Sequence, residues 1–511
     1  MKLSELLHAV TADEIRNPAD PEIVSLCHDS RQAGPGALFF ALKGVVTDGH
    51  RFLPAAAANG AAALVVEDLE QVPAGATVVK VADARLAMAR MAAAFHGDPT
   101  SRLPLVGITG TNGKTTTTYL IEAIMAAAGL PPAVLGTISY RFGGTVIEAS
   151  HTTPESTELQ KALRTLADGG ARGFVMEVSS HALEQKRVDG CRFDVGIFSN
   201  LTRDHLDYHG TMEQYLEAKQ RLFSELLVPD GVKPRRRAVI NLDDPSGARI
   251  AAGAACPVIT FAIGKEADVR PLGYTSTVDG IRGTLKTPAG EVPIVSRLLG
   301  RFNLSNILAA VAAGIALELP LEAIRAGIEG QGTVPGRMER VDTGRGVTCL
   351  VDYAHTGDAL ANVLATIKEL ATGRIITLFG CGGDRDNGKR PIMGRIAAEM
   401  SDLAIITSDN PRTEDPVRIL EQIRAGIVVP GVAESVREYA ADELAQGFDA
   451  RGFTVVADRR AAIRLAATVA RPGDLVLLAG KGHEDYQIIG TTKHHFDDRE
   501  EAARAFAELG G

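Results

Sequence analysis

The stretch LPLVGITGTNGKTTTT, residues 103–118, decides how the rest of the chain is interpreted. Its first part, residues 103–109, is a short apolar run typical of a buried strand, and residues 115–128 have the composition of a helix. A turn rich in glycine joins the two. A strand, a glycine-rich turn and a helix in this order form the unit that carries phosphate-binding loops. The stretch therefore predicts an α/β fold.

The turn has the small and polar residues that a nucleotide site requires, namely Gly110, Thr111, Asn112, Gly113, Lys114, Thr115 and Thr116. Backbone N–H groups there can contact phosphate oxygens at a helix N-terminus, whose dipole favours anions. Lys114 can neutralise charge on the β- and γ-phosphates, and Thr115 can offer its hydroxyl to Mg²⁺. The strict phosphate-loop pattern fails because Ile108 occupies its first glycine position. We therefore predict a variant nucleotide loop and not a plain glycine-rich turn.

Length and composition narrow the class of protein. A chain of 511 residues predicts about three domains. The net charge of −9, without long runs of one sign, argues against nucleic-acid binding. The longest uncharged apolar run, residues 307–317, predicts a buried helix and no membrane span, and the N-terminus lacks a secretory signal. The five cysteines indicate neither a zinc site nor a disulfide framework. We expect a cytoplasmic protein.

Breaks in the pattern predict three α/β domains in series, with residues 1–100, 101–334 and 335–511. The smaller N-terminal α/β domain has predicted strands at 37–42, 63–67 and 77–81, a helix at 84–95 and a helix-forming alanine tract at 55–63. The central domain continues the parallel sheet of an ATPase with strands at 173–178, 193–199 and 238–241. The C-terminal, Rossmann-like domain has predicted strands at 347–352, 374–379, 403–407, 453–456 and 474–478. The basic triplet 235–237 is predicted to be a solvated loop.

Polar side chains follow two central strands where each strand ends. Glu177 lies near the end of strand 173–178, and His205, Asp207 and His209 follow the next strand. Open α/β sheets bind ligands at the carboxyl ends of their strands, so Glu177 could hold a metal ion. Taken alone, Glu177 fits a capping or ion-paired residue better than a metal ligand. We expect Asp207 and His209 to be structural.

Longer motifs then resemble a known family, the ATP-dependent Mur ligases of peptidoglycan synthesis. In chain order they are GTNGKTT (110–116), TTPEST (152–157), EVSSHAL (177–183), NLTRDHLDYHG (200–210), YLEAK (215–219), NLSNILAA (303–310), PGRME (335–339) and DYAH (352–355). The matching motifs extend over residues 27–484. Within the family they most resemble the ligases that add a diamino acid to UDP-N-acetylmuramoyl-L-alanyl-D-glutamate, a step in cell wall biogenesis and thereby in cell shape and division.

The resemblance implies a reaction and its machinery. ATP, as cosubstrate, phosphorylates a carboxylate, and an amine then displaces the phosphate from the acyl phosphate. The resemblance assigns catalytic roles to Lys114, Glu177, His205 and Lys219, and Mg²⁺ binding to Thr115, Glu177, His205 and Lys219. In the family the lysine is carbamylated by CO₂, which turns it into an anionic oxygen ligand; the alternative is a solvated helix lysine. Further nucleotide contacts are implied for Asn303, Asn306, Arg337 and Asp352.

The resemblance also implies how substrates are recognised. Arg412, in Asp409-Asn410-Pro411-Arg412, stands where meso-diaminopimelate-adding members carry arginine, because a guanidinium can bind the extra carboxylate. The resemblance implies that Arg385, Gly480 and Glu484 complete this pocket. The alternative for residues 409–412 is a structural Asx/Pro turn with no role in binding. The resemblance also implies a set of residues that bind the UDP-sugar part of the substrate, namely Ser30, residues 45–47, His151, Thr152, Thr153, Ser179, Gln185 and Arg187. His151 departs from the family, which often has asparagine there, and 45–47 is unusually apolar.

Two other classes of protein stay open. One is a related ligase that adds L-lysine or forms folylpolyglutamate with the same ATP machinery. The other is a non-catalytic phosphate-loop regulator, which would bind nucleotide without turnover. The presence of Glu177, His205 and Lys219 together favours an enzyme, since a binder needs no second set of metal ligands. We expect a monomer whose partners are small molecules, namely ATP, the UDP-muramoyl dipeptide and the diamino acid.

Overall fold

The structure, a computed structural model, describes residues 1–44, 47–149, 151–429, 431–432 and 435–509. The chain divides into two compact units. The first contains residues 1–270, 286–291 and 306–327, and the second contains 271–285, 292–305 and 328–511. Within the described residues, no helix combines the length and the apolar character needed to span a membrane.

The N-terminal region of the first unit is a small sheet covered on both faces. Its elements are α1 (Leu3–Leu7), β1 (Glu14–Arg16), β2 (Ser25–Cys27), β3 (Ala37–Phe40), α2 (Leu53–Ala58), β4 (Ala63–Val66), β5 (Val78–Lys80) and α3 (Ala84–Phe95). The strand order is β1-β5-β4-β3-β2, with only the edge strand β1 antiparallel to its neighbour. The apolar run of β3 is buried throughout because a hydrophobic cluster lies on each face. The α/β prediction for this region is confirmed.

The predicted helix 84–95 is confirmed, whereas the alanine tract 55–63 is only partly helical. Helix α2 ends at Ala58, and Ala63 already begins β4. The break falls at Gly60, which has a φ of +98°, a conformation that favours glycine. A local turn therefore overrides the helix propensity of alanine.

The central sheet of the first unit is larger. Its elements are β6 (Leu105–Thr109), α4 (Lys114–Ala127), β7 (Ala133–Leu135), β8 (Tyr140–Phe142), β9 (Thr145–Ile147), α5 (Ser156–Asp168), β10 (Phe174–Glu177), α6 (Ser180–Glu184), β11 (Val195–Phe198), α7 (Leu206–His209), α8 (Met212–Ser224), β12 (Arg237–Asn241), α9 (Gly247–Ala252) and β13 (Val258–Phe261). The eight strands follow the order β13-β12-β11-β6-β10-β7-β8-β9. Strands β13 to β7 in that order run parallel, and the hairpin β8–β9 is antiparallel.

The order of this sheet brings two later strands to either side of β6. Glu177 of β10 pairs in register with Ile108, and Phe198 of β11 pairs with Thr109. The loops that follow β6, β10 and β11 therefore leave the sheet at one edge. Because the strand order reverses here, this edge is the position where open α/β sheets bind ligands.

The basic triplet 235–237 is not a solvated loop as predicted. Arg235 is exposed, but Arg236 is 5% exposed, with Nη2 2.7 Å from Asp230 Oδ2 and Nη1 2.6 Å from a backbone carbonyl. Arg237 begins β12. A carboxylate and a carbonyl replace the water that a buried guanidinium loses, so charge alone does not predict exposure.

In chain order, a three-stranded sheet and two helices follow the central sheet. The elements are β14 (Arg270–Thr277), β15 (Gly280–Thr287), β16 (Gly290–Ser296), α10 (Arg301–Ala316) and α11 (Leu321–Gly330), and the strand order is β14-β15-β16. The apolar run 307–317, predicted as a buried helix, lies almost entirely in α10. Sequence patterns did not predict these three strands.

The second unit contains a parallel sheet with two antiparallel additions. Its elements are β17 (Glu339–Val341), β18 (Thr348–Asp352), α12 (Gly357–Leu370), β19 (Ile375–Phe379), α13 (Lys389–Met400), β20 (Leu403–Ile406), α14 (Pro416–Ala425), β21 (Arg437–Glu438), α15 (Ala441–Leu444), β22 (Gly452–Val455), α16 (Arg459–Val469), β23 (Leu475–Ala479), β24 (Tyr486–Ile489), β25 (Thr492–His495) and α17 (Asp498–Glu508). The main sheet has the order β17-β18-β23-β19-β20-β22-β21, and β24 and β25 form a hairpin. Apolar clusters cover both faces. All five predicted strands are present, and no end is shifted by more than one residue.

A buried ion pair connects helices and strand ends in this unit. Arg459 and Asp498 are both fully buried, and two guanidinium nitrogens lie 2.8 and 2.6 Å from the carboxylate oxygens. The same guanidinium donates to the carbonyl of Ala479 at 3.1 Å and to that of Ser408 at 3.5 Å. It thereby joins the ends of β23 and β20.

Candidate active site

The phosphate-loop turn depends on two glycines. Gly110 has a φ of +146°, and a Cβ there would lie 1.9 Å from Ser199 Oγ. Gly113 has a φ of +88°, and a Cβ there would lie 2.3 Å from Asn306 Oδ1. Both conformations are ones that L side chains rarely adopt. The backbone can therefore approach its neighbours closely only with glycine at these positions.

Side chains hold the turn over the start of α4. Lys114 Nζ donates to the carbonyl oxygens of Gly110 at 3.0 Å and Thr111 at 2.9 Å. Asn200, which follows β11, accepts from the Asn112 backbone N–H at 2.9 Å and donates to its carbonyl at 3.1 Å. Helix α4 begins at Lys114, so the turn places its N–H groups and an ammonium at a helix N-terminus.

Glu177 ends β10 with only 1% of its surface exposed. Thr115 Oγ1 donates to its Oε1 at 2.9 Å, and Thr137 donates to Oε1 through its backbone N–H at 3.1 Å and to Oε2 through its hydroxyl at 3.0 Å. Gly136 faces the same carboxylate, and a Cβ there would lie 2.5 Å from Oε1. Thr116 is buried in the first turn of α4. The structure thus joins Glu177 and Thr115, two of the predicted metal-site residues.

Lys219, on α8, is 1% exposed and is among the largest fully buried side chains of the described chain. Its ammonium lies 4.3 Å from the centre of the Tyr215 ring. Burial holds the pKa of Lys219 well below its usual range; Lys114 acts in the same direction, and Asp204 opposes them. A lysine in this position is not the solvated helix lysine that the sequence left open.

The histidines near Lys219 form a ring cluster. His205 has a φ of +54° and its side chain is half exposed, and its ring centre lies 4.9 Å from that of His181. His209 is buried, with Nε2 2.8 Å from Ser180 Oγ. Burial, with the neighbouring cations, lowers the pKa of His181 and of His209 to about 4. The contacts of His209 agree with the structural role expected of it.

The residues beside the phosphate loop fit a magnesium ion that takes most of its ligands from phosphate and water. Among the described residues no three His, Cys, Asp or Glu side chains cluster closely enough to hold a metal ion. Mg²⁺, however, commonly uses one or two carboxylates and completes its shell with phosphate oxygens and water. The Thr115 hydroxyl and the Glu177 carboxylate, 2.9 Å apart beside the phosphate loop, supply that kind of donor set.

The predicted sugar-side residues gather at the end of β10. Thr153 Oγ1 donates to the Glu177 carbonyl at 2.8 Å and accepts from the Ser179 N–H at 3.1 Å. The Arg187 guanidinium donates to Gln185 Oε1 at 2.7 Å and to the Thr153 carbonyl at 2.9 Å. Arg187 is also ion-paired with Glu155 at 2.9 Å, and only 12% of its side chain is exposed. One edge of the sheet therefore brings these side chains together.

Two further predicted residues extend from this cluster. Thr152 Oγ1 lies 3.1 Å from Thr137 Oγ1, which in turn contacts Glu177. The carbonyl of His151 accepts a hydrogen bond from the Tyr140 hydroxyl, and the side chain of His151 is exposed. Both residues continue the same edge of the central sheet.

The remaining sugar-side predictions fall in the N-terminal region. Ser30 opens a short 3₁₀ helix, and its carbonyl accepts from Asn59 Nδ2 at 2.9 Å. Of the predicted stretch 45–47, Val45 and Val46 lie outside the described residues, and Thr47 is exposed.

In the second unit, Asp352 ends β18 and is buried. Its carboxylate accepts two backbone N–H groups at 2.8 Å each, and burial raises its pKa, opposed by the charge of Arg337. The Arg337 guanidinium lies 5.1 Å from the centre of the Tyr353 ring. Asn303 is fully buried and donates to the Leu299 carbonyl at 2.9 Å.

The residues predicted to bind the diamino acid lie on the loops that follow β19, β20 and β23. Asp409 and Asn410 are buried, and Asn410 Nδ2 donates to Glu484 Oε2 at 2.9 Å. Arg412 has a φ of +52°, and its Nη1 donates to the Gly383 carbonyl at 2.9 Å. Burial raises the pKa of Glu484, and Asp409 raises it further. The structure thus brings the acidic and basic predicted residues of this pocket together.

The other predicted residues of this pocket lie on the loops around it. Pro411 is buried, whereas Arg385 is exposed and its Nη1 lies 3.3 Å from the neighbouring Asp384 carbonyl. Behind these loops, the fully buried Arg390 forms two 2.9 Å hydrogen bonds to the carboxylate of Glu414. This bidentate pair fixes the loop that carries Arg385 relative to the one that carries Arg412.

The sequence did not predict three side chains that complete these sites. Thr137 and Glu155 lie far from their partners along the chain, although Glu155 belongs to a quoted motif. Lys481 is fully buried, with Nζ 3.4 Å from Asp409 Oδ1. Gly480 before it has a φ of +110°, and a Cβ there would lie 3.1 Å from the Asp409 carboxylate. The one signal for Lys481 was its place between two predicted pocket residues.

Comparison with protein families covers most of the chain. Residues 22–96 match a family described as "Mur ligase family, catalytic domain", residues 108–314 match "Mur ligase middle domain", and residues 336–482 match "Mur ligase, glutamate ligase domain". The phosphate loop and the Glu177 edge lie within the second match. Most of the pocket around Asn410 lies within the third.

Individual relatives match over the full length. A protein of Geobacter metallireducens named UDP-N-acetylmuramoyl-L-alanyl-D-glutamate–2,6-diaminopimelate ligase is 64% identical, covering 100% of this chain and 99% of its own. A protein of Geobacter sulfurreducens with the same name is 62% identical, covering 99% of both chains. A solved structure with that name is 34% identical with a TM-score of 0.71, covering 100% of both chains.

Proposed function

The chain belongs to the Mur ligase family, and from this premise we propose that it is a ligase of the MurE type. It joins meso-2,6-diaminopimelate to the D-glutamyl carboxylate of UDP-N-acetylmuramoyl-L-alanyl-D-glutamate with cleavage of ATP to ADP and phosphate, in peptidoglycan synthesis. The observation that carries this assignment is the 64% identity over the whole chain with a relative of that name. The lysine-adding, folylpolyglutamate-forming and non-catalytic alternatives are not favoured.

The reaction needs an activated carboxylate because amide formation in water is uphill. A carboxylate oxygen of the substrate attacks the γ-phosphorus of ATP, and ADP leaves. The amine then attacks the acyl carbon of this acyl phosphate, loses a proton and expels phosphate. We assign the ATP phosphates to the backbone N–H groups of the turn 110–116 and to Lys114. An ammonium at a helix N-terminus stabilises charge as it moves between phosphate oxygens.

Magnesium belongs to the same edge of the central sheet. Bound Mg²⁺ would screen the repulsion between the phosphates and the attacking carboxylate. We assign Thr115 and Glu177 to hold it, because their oxygens lie 2.9 Å apart and Glu177 is oriented by Thr137. We also assign His205, which is half exposed at the same strand ends, and the carbamate of Lys219 as donors to the ion.

We also propose that Lys219 carries a carbamate derived from CO₂. Its burial beside Tyr215 and Lys114 favours a neutral amine, and only a neutral amine reacts with CO₂. The modification would replace a buried cation by an anion, which suits a residue near Mg²⁺ and phosphate better. Lys219 is then a charge that positions the reacting groups.

For the substrates, we assign the UDP-sugar side to Ser30, His151, Thr152, Thr153, Ser179, Gln185 and Arg187. We assign nucleotide contacts to Asn303, Asn306, Arg337 and Asp352. The diamino acid is assigned to Arg385, Asp409, Asn410, Pro411, Arg412, Gly480 and Glu484. In this scheme Arg412 binds the carboxylate of the distal stereocentre and Glu484 its ammonium, a pairing that L-lysine can complete only in part.

The test uses purified protein, ATP, Mg²⁺ and UDP-N-acetylmuramoyl-L-alanyl-D-glutamate. Phosphate release and the mass of the product are measured with meso-diaminopimelate, with L-lysine and with no amino acid. We expect release that depends on the amino acid and is at least about 10-fold faster with meso-diaminopimelate. Equal rates with both amino acids would contradict the role in substrate selection that we assign to Arg412. Full hydrolysis with no acceptor would remove the ligase assignment.

The same proposal includes a cytoplasmic location and a monomeric chain. ATP and UDP-linked substrates are cytoplasmic metabolites. All five cysteines are buried free thiols, as expected in a reducing compartment. Fractionation of cells and light scattering of the purified protein measure the two properties directly.

A further inference from the structure

Lys481 is a buried cation that the proposed reaction does not use. It lies in the loop between β23 and the hairpin β24–β25, which also carries Glu484, and its side chain is fully buried. Its Nζ is 3.4 Å from Asp409 Oδ1, 3.4 Å from Asn410 Oδ1 and 3.7 Å from Glu484 Oε2. One ammonium therefore contacts three residues assigned to the diamino-acid pocket.

These contacts fix the orientation of Asn410. Its Oδ1 accepts from the Ile488 backbone N–H at 2.9 Å and faces the Lys481 ammonium. Both are donors, so the carbonyl oxygen of the amide must point toward them and the NH₂ group away. That NH₂ group then donates to Glu484 Oε2 at 2.9 Å. Lys481 thus influences Glu484 both directly and through Asn410.

The charges of the pocket also depend on Lys481. Asp409 and Glu484 supply two negative charges, and Lys481 supplies one positive charge within 4 Å of both. One negative charge is left over, which matches one substrate ammonium. Arg412 supplies the positive charge that matches one carboxylate. The set is therefore complementary to a single zwitterionic amino-acid centre.

We propose that Lys481 is a positioning residue of the diamino-acid pocket: it compensates one of the two carboxylates and orients Asn410, so that Glu484 stays ionised to receive the substrate ammonium. The proposal rests on the proposed function and adds a determinant of specificity to it. Burial of a second uncompensated carboxylate is costly, and such a pair relieves the cost by taking up a proton. Without Lys481, the pocket would hold a protonated acid in place of an acceptor for the ammonium.

Several charged or titratable groups act on Glu484 from the elements packed around it, namely Asp409, Arg412, Lys481, Tyr353, Tyr486 and Arg459. Burial and Asp409 raise the pKa of Glu484, whereas Lys481, Asn410 and Arg412 lower it. Arg459 is already paired with Asp498. Removal of Lys481 therefore moves the pKa of Glu484 further upward.

The test compares the full-length wild type with Lys481→Met, Asp409→Asn and the double variant. Initial rates are measured against meso-diaminopimelate between pH 6.5 and 9.5, with the other substrates saturating. For Lys481→Met we expect the KM for the diamino acid to rise on the order of 10-fold to 100-fold at pH 7, with a smaller change in kcat. The KM should recover as the pH rises, because Glu484 regains its charge.

The double variant separates charge from packing. Asp409→Asn alone leaves Lys481 and Glu484 with no net negative charge, so its KM should rise. Adding Lys481→Met to that background restores one negative charge and should lower the KM again. A residue that only fills space would make the double variant worse than Asp409→Asn. This sign change can be read even if the single variant Lys481→Met does not fold.

Two results overturn the inference: a wild-type KM and pH profile for Lys481→Met, or a double variant no better than Asp409→Asn. A wild type that releases no phosphate in response to meso-diaminopimelate would instead overturn the proposed function. The two failures are distinguishable because the second is seen before any substitution is made.

Discussion

The central sheet and the C-terminal sheet both carry a candidate site at their strand ends, but the two sites are built from different chemical groups. After β6, the turn 110–116 presents backbone N–H groups and two glycines within one short segment. After β19, β20 and β23, the second site collects side chains from three separate loops. In the proposed function, phosphate is recognised mainly by the backbone, whereas the diamino acid is recognised by a set of charges.

The two sites therefore differ in the substitutions that they tolerate. In the backbone site, each glycine is irreplaceable because its Cβ would enter a neighbouring side chain. In the side-chain site, the charged residues are constrained mainly by the sum of their charges. Substitutions should therefore lower turnover at the first site and alter affinity or specificity at the second.

The largest effect is expected for Lys219→Ala, which removes the charge assigned to a carbamate. Turnover should fall on the order of 10²-fold to 10³-fold, because a charge near the transferring phosphoryl group is lost. Short carboxylates such as acetate or formate should restore part of it by occupying the cavity. Lys161→Ala, an exposed helix lysine of the same unit, is the matched control. Full activity of Lys219→Ala without rescue would contradict the carbamate.

Gly110→Ala tests the backbone site itself. A Cβ 1.9 Å from Ser199 Oγ must displace the turn, and a shift of about 1 Å in a reacting group costs about 100-fold in rate. We expect ligase turnover to fall by about that factor. Gly231→Ala is the control, since a Cβ there meets no atom within 4 Å. Equal activity of the two variants would show that the turn tolerates a side chain.

Arg412→Lys tests the side-chain site. A lysine keeps the charge but loses the planar fork, so the KM for meso-diaminopimelate should rise about 10-fold to 50-fold while that for ATP stays unchanged. The preference over L-lysine should shrink by a similar factor. Arg418→Lys, exposed on the nearby α14, serves as the comparison. An unchanged amino-acid preference would assign the discrimination to another residue.

The smallest effect is expected at the opposite end of the same strands. Asp474, just before β23, accepts from Arg374 and from two backbone N–H groups, and these hydrogen bonds outweigh burial and lower its pKa. Asp474→Asn should lower the free energy of unfolding by about 2 kcal/mol at pH 7, without changing the KM for the diamino acid.

The pH dependence of that effect has a definite sign. A lowered pKa in the folded state means that Asp474 stabilises the fold above its unfolded pKa of about 4. The stabilisation is lost as the pH falls through the folded pKa. The difference between wild type and Asp474→Asn, measured by urea unfolding, should therefore shrink below about pH 4. A difference that grows in acid would contradict the assignment.

The two sites also differ in how far the sequence predicted them. The turn 110–116 could be recognised because its chemistry lies in one contiguous segment between a strand and a helix. Glu177 could be placed because a parallel sheet brings strand ends to one edge. Thr137 could not, since its contact with Glu177 joins residues 40 positions apart and depends on the close approach at Gly136.

Charged residues were the least predictable. Lys481 and Arg236 are of residue types that are usually exposed, but both are buried in the structure beside oppositely charged partners. The sequence did not predict the three strands β14 to β16, and a turn interrupts the helix predicted for the alanine tract 55–63. Local propensity therefore predicted most elements of the α/β sheets, whereas tertiary pairing decided which polar side chains are internal.

The Arg459–Asp498 pair connects the second site to helices α16 and α17. One guanidinium fixes the carbonyls at the ends of β20 and β23, and the loops that follow those strands carry Asn410 and Glu484. A selection for altered amino-acid usage should therefore recover changes on α16 and α17 as well as in the pocket. Evolution of new specificity in this fold would proceed partly through its helices.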